Sequence, residues 1–102
     1  MFGLGKKQDP RIFIRATSGV LSAYDNHGKH YLLTGNSLTE LEAQLDPALF
    51  FRVNRSGVVN INYVLSFESY AKKTLAVNLQ HMSEPLITSR TRTSGFRKWL
   101  AT

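Results

Sequence analysis

The sequence predicts a mostly β domain with one short helix in its middle and another at its end. Three observations lead there. Most apolar residues fall in short runs rich in Val, Ile, Phe and Tyr, a composition that suits a pleated, half-buried surface. Clusters of Gly, Asn, Asp, Lys and Pro separate the runs, as turns separate strands. Only two stretches space their leucines or aromatics for the face of a helix. With 102 residues the chain supports one core, because single cores need on the order of 100 residues.

The elements follow in order. Residues 1–10, MFGLGKKQDP, hold two glycines, two lysines and Asp9-Pro10, and the residue before a proline is pushed to extended geometry. They read as a leader or linker ahead of a domain over 11–102. Arg11 to Ala16, RIFIRA, alternates, which predicts a strand with Ile12 and Ile14 on one face. Gly19 to Tyr24, GVLSAY, is a second strand. Asp25-Asn26-His27-Gly28 is a turn cluster ending in the residue that best tolerates positive φ, and KHYLL returns as the other arm of a hairpin. Ser37-Leu38-Thr39-Glu40 has the serine and glutamate of a capping box. Leu38, Leu41 and Leu45 recur at helical spacing, so Ser37 to Leu45 is an amphipathic helix lying on a sheet and stopped by Asp46-Pro47.

After residue 50 the texture returns to β. VVNINYVLSFESY is followed by a turn at Ala71-Lys72-Lys73, then TLAVNLQ, a loop at His81 to Glu84, and PLITS. The closing RTRTSGFRKWLAT places Phe96, Trp99 and Leu100 on one side of a final helix, with Ser89 as its cap and Gly95 as its weak point.

Composition bounds the function. An apolar fraction of 42% with 20% charged residues matches a folded domain and not a disordered tail. The absence of cysteine excludes disulfides, thiolate metal sites and cysteine nucleophiles, and makes the cytoplasm the default compartment. No run approaches the ~18 consecutive apolar residues of a membrane span, so no membrane partner is expected. The net charge of +6 is unevenly placed: residues 1–49 hold five Lys/Arg against five Asp/Glu, whereas residues 50–102 hold eight against two. That asymmetry suits a polyanion, whose condensed counterions are released on binding; a solvated basic surface kept for solubility is the alternative.

No enzyme is expected. His27, His30 and His81 are the only histidines. On a hairpin His27 and His30 fall on opposite faces across a turn, which is not metal-ligand spacing. Glu40 is accounted for as a cap partner and Glu42 as a solvent-facing residue. The serines lack a nucleophile-elbow context, and the dispersed glycines form no phosphate-cradling loop. Cofactors and a small-molecule substrate are accordingly not expected either.

A nucleic-acid interface needs less: guanidinium groups at loops or strand ends that can reach a groove, and small polar residues for phosphates. Arg52, Arg55, Ser56, Arg90 and Arg92 fit. Their half of the chain offers only Glu68 and Glu84 as partners. Tyr70, Lys72 and Lys73 add an aromatic and two cations at a hairpin tip, consistent with backbone contact or with an ordinary polar turn. The middle helix is acidic and the last is weakened by Gly95, so neither resembles a recognition helix, and loops are expected to carry the arginines.

Phe50-Phe51-Arg52-Val53-Asn54-Arg55-Ser56, followed by Val58-Val59-Asn60, resembles the FFRvhRS..VN signature of LytTR-type DNA-binding domains of bacterial transcription regulators. Ser37-Leu38-Thr39-Glu40-Leu41-Glu42 with Leu45-Asp46 is similar to the helix preceding that signature. Ser89-Arg90 before Phe96, Trp99 and Leu100 is similar to the family's ending, and Asp25 to Gly28 sits where the family has a DG hairpin. The blocks occur in order from about Arg11 to Leu100. The resemblance implies an elongated arrangement of small antiparallel sheets with short helices that reads successive major grooves of double-stranded DNA through loops. It points to Arg55 and Arg90 as base contacts and to Ser18, between the first two strands, by position. It also implies dimers on paired sites, and either a stand-alone binder controlled by abundance or a separate regulatory protein, or a fragment of a larger two-component-like regulator.

Three departures carry expectations. Asn54 stands where the family usually has histidine, and its place makes it a further candidate contact. Gly57 replaces a bulky residue and is expected to loosen the bend that holds Arg55. The family has a further strand before Arg11 to Ala16, so the first sheet is expected to expose an edge, completed by a partner chain or by Phe2 to Leu4. The alternative to DNA binding is an adaptor or anti-regulator that captures a protein along that edge.

Overall fold

In the computed structural model, which describes residues 9–35 and 37–102, eight strands form two antiparallel sheets. The first contains β1 (Arg11–Thr17), β2 (Val20–Asp25), β3 (His30–Leu33), β4 (Phe50–Asn54) and β5 (Gly57–Asn60), in the spatial order β3-β2-β1-β5-β4. The second contains β6 (Val64–Ser69), β7 (Leu75–Leu79) and β8 (Leu86–Ile87), with β7 in the centre. Helix α1 (Leu38–Glu42) connects β3 to β4, and α2 (Arg90–Ala101) closes the chain. Most of the expected leader, including Phe2 to Leu4, lies outside the described residues.

The expected open edge at Arg11 to Ala16 is not there. β1 is the middle strand of five, paired with β2 on one side and β5 on the other. The alternation read from RIFIRA also needs correction. The register slips between Arg11 and Phe13, and this bulge sends Ile12 to the same core as Phe13, while Ile14 enters the other. All three are fully buried, because the sheet is covered on both faces, and central strands so covered read as continuous apolar runs.

One face of the first sheet meets the second sheet and α2. Ile12, Phe13, Val53 and Val59 pack there against Leu75, Val77, Leu79 and Phe96. The other face meets α1 and the loop after it, with Ile14, Leu21, Ala23, Phe50 and Val58 against Leu38 and its neighbours Leu41, Leu45 and Leu49. Leu38 is the buried residue of α1, and Ser37 caps it by accepting from the Glu40 N–H at 3.1 Å. The helix is shorter than its leucine spacing suggests. Gln44 N–H bonds back to Leu41 and Leu45 N–H to Glu42, three residues away, so the end tightens into 3₁₀-type geometry.

VVNINYVLSFESY is also not one β run. Asn60, fully buried, accepts from the Asn62 N–H through Oδ1 at 2.9 Å and caps a 3₁₀ turn over Ile61–Tyr63. Its Nδ2 donates to the carbonyls of Asp9 and Arg11. The turn moves the chain from one sheet to the other while this amide ties the start of β1 beneath it.

Candidate nucleic-acid interface

The cationic residues are presented by turns whose local chemistry explains their shape. Ser18 and Gly19 form the two-residue loop between β1 and β2, and both have positive φ, 50° and 79°, as the mirror-image turns of tight hairpins require. Ala16 N–H donates to the carbonyl of Ser56 at 2.9 Å, so this tip lies at the same end of the sheet as the bend between β4 and β5. Lys72 and Lys73 stand exposed at the tip between β6 and β7, where Thr74 closes the turn by accepting from the Tyr70 and Ala71 N–H groups.

The bend Asn54-Arg55-Ser56 is held firmly, contrary to the loosening expected from Gly57. Asn54 Oδ1 accepts from the Ser56 N–H at 2.8 Å and lies 3.2 Å from its hydroxyl, while Nδ2 donates to the Ile87 carbonyl at 2.7 Å. Gly57 is buried, pairs with Arg15 of β1, and a methyl group in its place would sit 3.4 Å from Asn54 Oδ1. That is an ordinary contact, so the bonds made by the asparagine, and not the small residue, set the shape of the bend. Arg52 adds a second clamp. Its guanidinium donates to the Asn54 carbonyl at 3.0 Å, the Arg55 carbonyl at 2.6 Å and Thr39 Oγ1 at 3.0 Å, and lies 3.4 Å from Glu42 Oε1.

Arg52 thus points back into the protein. Asn54 does the same with its oxygen and one amide donor. Arg55, Arg90 and Arg92 differ: all three are exposed, and none forms an ion pair among the described residues. The carboxylate that satisfies Arg52 comes from α1, outside its own half of the chain.

Two bonds bring the sequence-distant arginines together. Ser89 N–H donates to the Val53 carbonyl at 2.9 Å, and Asn54 reaches Ile87 as described, so β8 and the start of α2 run beside the end of β4. The result is an open concavity of about 500 Å³ lined by Arg52, Asn54, Arg55 and Thr39 on one side and by Ser89, Thr91 and Arg92 on the other. Arg90 opens the helix next to it. Ser89 occupies the cap position, but its hydroxyl makes no capping bond and lies 3.3 Å from Thr91 Oγ1. Thr39, Ser89 and Thr91 were not singled out as site residues by the sequence; the alternation of arginine and threonine in RTRT was the available sign. Lys72, Lys73 and Ser18 lie on the two hairpin tips and do not line the concavity.

Gly95 has a packing reason. A methyl group there would approach Phe51 Cζ to 3.3 Å, and Phe51 is itself stacked on Trp99 with centroids 5.2 Å apart. Trp99 Nε1 donates to the Pro47 carbonyl at 3.0 Å. The helix that carries Arg90 and Arg92 is therefore fastened at its far end to the segment leading into β4.

Among the described residues no group of acidic, histidine or cysteine side chains is placed to hold a metal ion, and no helix is long and apolar enough to cross a membrane. His30 stacks on Tyr24 at 4.3 Å.

The family model for the LytTr DNA-binding domain matches residues 12–101. An uncharacterized response regulatory protein of Vibrio cholerae serotype O1 is 42% identical over 55 residues, a stretch covering 52% of this chain and 21% of that protein; the chain thus spans a small part of that relative's length. A Bacillus cereus structure, described as the LytTr DNA-binding domain of a methyl-accepting/DNA response regulator, superposes with a TM-score of 0.81 over 91% of this chain and 83% of its own, at 22% identity. That likeness is one of fold.

Proposed function

Because the chain belongs to the LytTr DNA-binding domain family, we propose that residues 11–102 bind double-stranded DNA sequence-specifically, without catalysis, as part of a transcription regulator in the bacterial cytoplasm. The observation that carries this reading is the convergence of Arg55 with Arg92 across the β4–β8 seam, beside the helix start that holds Arg90, with no ion pair answering any of the three among the described residues. An exposed guanidinium on a rigid support suits a bidentate contact to guanine O6 and N7, worth about 1 to 3 kcal/mol of discrimination per pair. In this reading Arg55 and Arg90 contact bases. Arg92, Ser56, Ser18, Lys72 and Lys73 contact phosphates, and Arg52 and Asn54 hold the bend. Two copies on paired half-sites, under the control of a separate regulatory protein or a further domain, complete the proposal.

Genomic footprinting of the protein, followed by the same footprint with variants, tests it. Arg90→Ala abolishes the specific footprint with thermal unfolding nearly unchanged. Arg55→Ala relaxes sequence preference more than it lowers the salt dependence of binding. Equal loss on random and specific duplexes moves Arg55 to the phosphates, and unfolding of Arg90→Ala moves Arg90 to structure.

A second reading has one observation in its favour. β3 is an outer strand of the first sheet, and its Leu32 is 70% exposed, as a surface for capturing a protein partner would be. Retention on heparin at near-physiological salt separates the two, since an adaptor has no need of it.

A further inference from the structure

Thr93, one turn into α2, reaches out of its helix to the hairpin that carries Lys72 and Lys73. Its Oγ1 lies 2.7 Å from the Lys73 carbonyl, 3.0 Å from the Ser89 carbonyl and 2.8 Å from Thr88 Oγ1. Thr88 is buried and accepts from the Leu75 N–H at 2.9 Å. The single Thr93 proton can serve only one of the two carbonyls, and since the Ser89 carbonyl already accepts from the Arg92 N–H at 3.1 Å, one arrangement of hydroxyl protons runs through to Lys73. Leu75 N–H donates to Thr88, the Thr88 hydroxyl to Thr93, and the Thr93 hydroxyl to the Lys73 carbonyl. The circuit leaves the hairpin at residue 75 and returns to it at residue 73, so the last turn before β7 is pinned from both sides.

The pinned residue is one that needs holding. Lys73 has φ 54°, the left-handed region that costs a residue with a side chain on the order of 1 kcal/mol. Without an external partner for its carbonyl the tip could relax to other turn geometries and carry both lysine side chains with it. Arg90 lies three residues before Thr93 on the same helix, so the tether sets the backbone of the two lysines against the start of α2.

We infer that Thr93 is a positioning residue for DNA binding, holding the Lys72-Lys73 tip in register with Arg90 so that hairpin and helix bear on the duplex as one rigid surface. The inference rests on the reading of the domain as a duplex binder with Lys72 and Lys73 on phosphates. Each phosphate contact contributes about 0.9 to the slope of log affinity against log salt. Two lysines held in place contribute up to about 1.8, and lysines on a mobile tip contribute less.

The test is a salt titration of the whole protein on a fluorescein-labelled mixed-sequence duplex, read by anisotropy. It uses wild type, Thr93→Val, Thr93→Ser, the double variant Lys72→Ala/Lys73→Ala, and the valine change combined with that pair. The expected result is a slope lowered by about 1 or more in Thr93→Val, restored in Thr93→Ser, and no further lowering when the valine is added to the lysine-free protein, since coupled residues are non-additive. A wild-type slope in Thr93→Val, or an additive loss in the combined variant, overturns the inference. If the lysine pair itself leaves the slope unchanged, the tip is no part of the interface and the inference falls, while the Arg55 and Arg90 footprints decide the broader reading separately. Should Thr93→Val melt below the working temperature, Thr93→Ala takes its place; failure of both to fold assigns Thr93 to stability alone and also overturns the inference.

Discussion

Arg52 Nη2 donates to the backbone carbonyl of Arg55 at 2.6 Å, so one arginine of the FFRVNRS stretch fixes the place of the other. The two look alike in the sequence and do opposite work. One guanidinium is turned inward on carbonyls, Thr39 and Glu42, and the other is left facing solvent.

The first prediction follows from that clamp. Arg52→Ala removes several charge-assisted bonds from a largely buried guanidinium, and is expected to lower stability by about 1–3 kcal/mol. Arg52→Lys keeps the charge but not the fork that reaches three partners at once, and recovers only part of the loss. Denaturation midpoints in urea give the size. A footprint on the specific site, weakened more than binding to random DNA, shows that the bend and not the charge is what was lost.

Gly95→Ala separates propensity from packing. In an open helix the change gains about 1 kcal/mol. Here the new methyl group meets Phe51 at 3.3 Å, and that ring is confined between Trp99 and Phe96. The melting temperature is expected to fall slightly. A rise would show that the ring yields freely.

Asp25 gives a pH signature. Its carboxylate accepts from the Lys29 and His27 N–H groups, each at 2.9 Å, and the Lys29 bond is the larger cause of a pKa held below the ordinary carboxylate value. A carboxyl depressed in the folded state adds stability above its unfolded pKa, near 3.9. That stability is lost as pH falls through the folded value. Asp25→Ala is therefore expected to melt lower than wild type at neutral pH, with the gap closing below about pH 4. A gap of constant width across that range would show that the ionised carboxylate is not what holds the turn.

Much of the strand and turn order was legible because it is local. The hairpin at Asp25 to Gly28, the cap at Ser37 and the tip at Ala71 to Lys73 each depend on residues within five positions of one another, and their residue types have few other uses. The misreadings share a different cause. The Ile12 and Ile14 alternation broke on a bulge set by pairing with β2, and VVNINY broke at Asn60, whose amide answers carbonyls 51 and 49 residues away. Gly57 was read as a loose point because the far end of the lock on the bend, the bond from Asn54 Nδ2 to the Ile87 carbonyl 33 residues away, has no signature in the residues beside it.

By itself the sequence determined the kind of surface this domain presents: short strands, tight polar turns, and a second half with eight cations against two acids. It also placed the arginines at strand ends and at the start of a helix, where guanidinium groups can reach outward. Only the tertiary structure decided which of them do. Whether an arginine faces solvent or its own backbone depends on the acceptors that the fold brings within about 3 Å, and for Arg52 those include side chains 13 and 10 residues away on α1. The bringing of Arg55 to the start of α2, where Arg92 shares its concavity, likewise rests on two bonds across the β4–β8 seam, and periodicity along one strand carries no information about what the next sheet will place beside it.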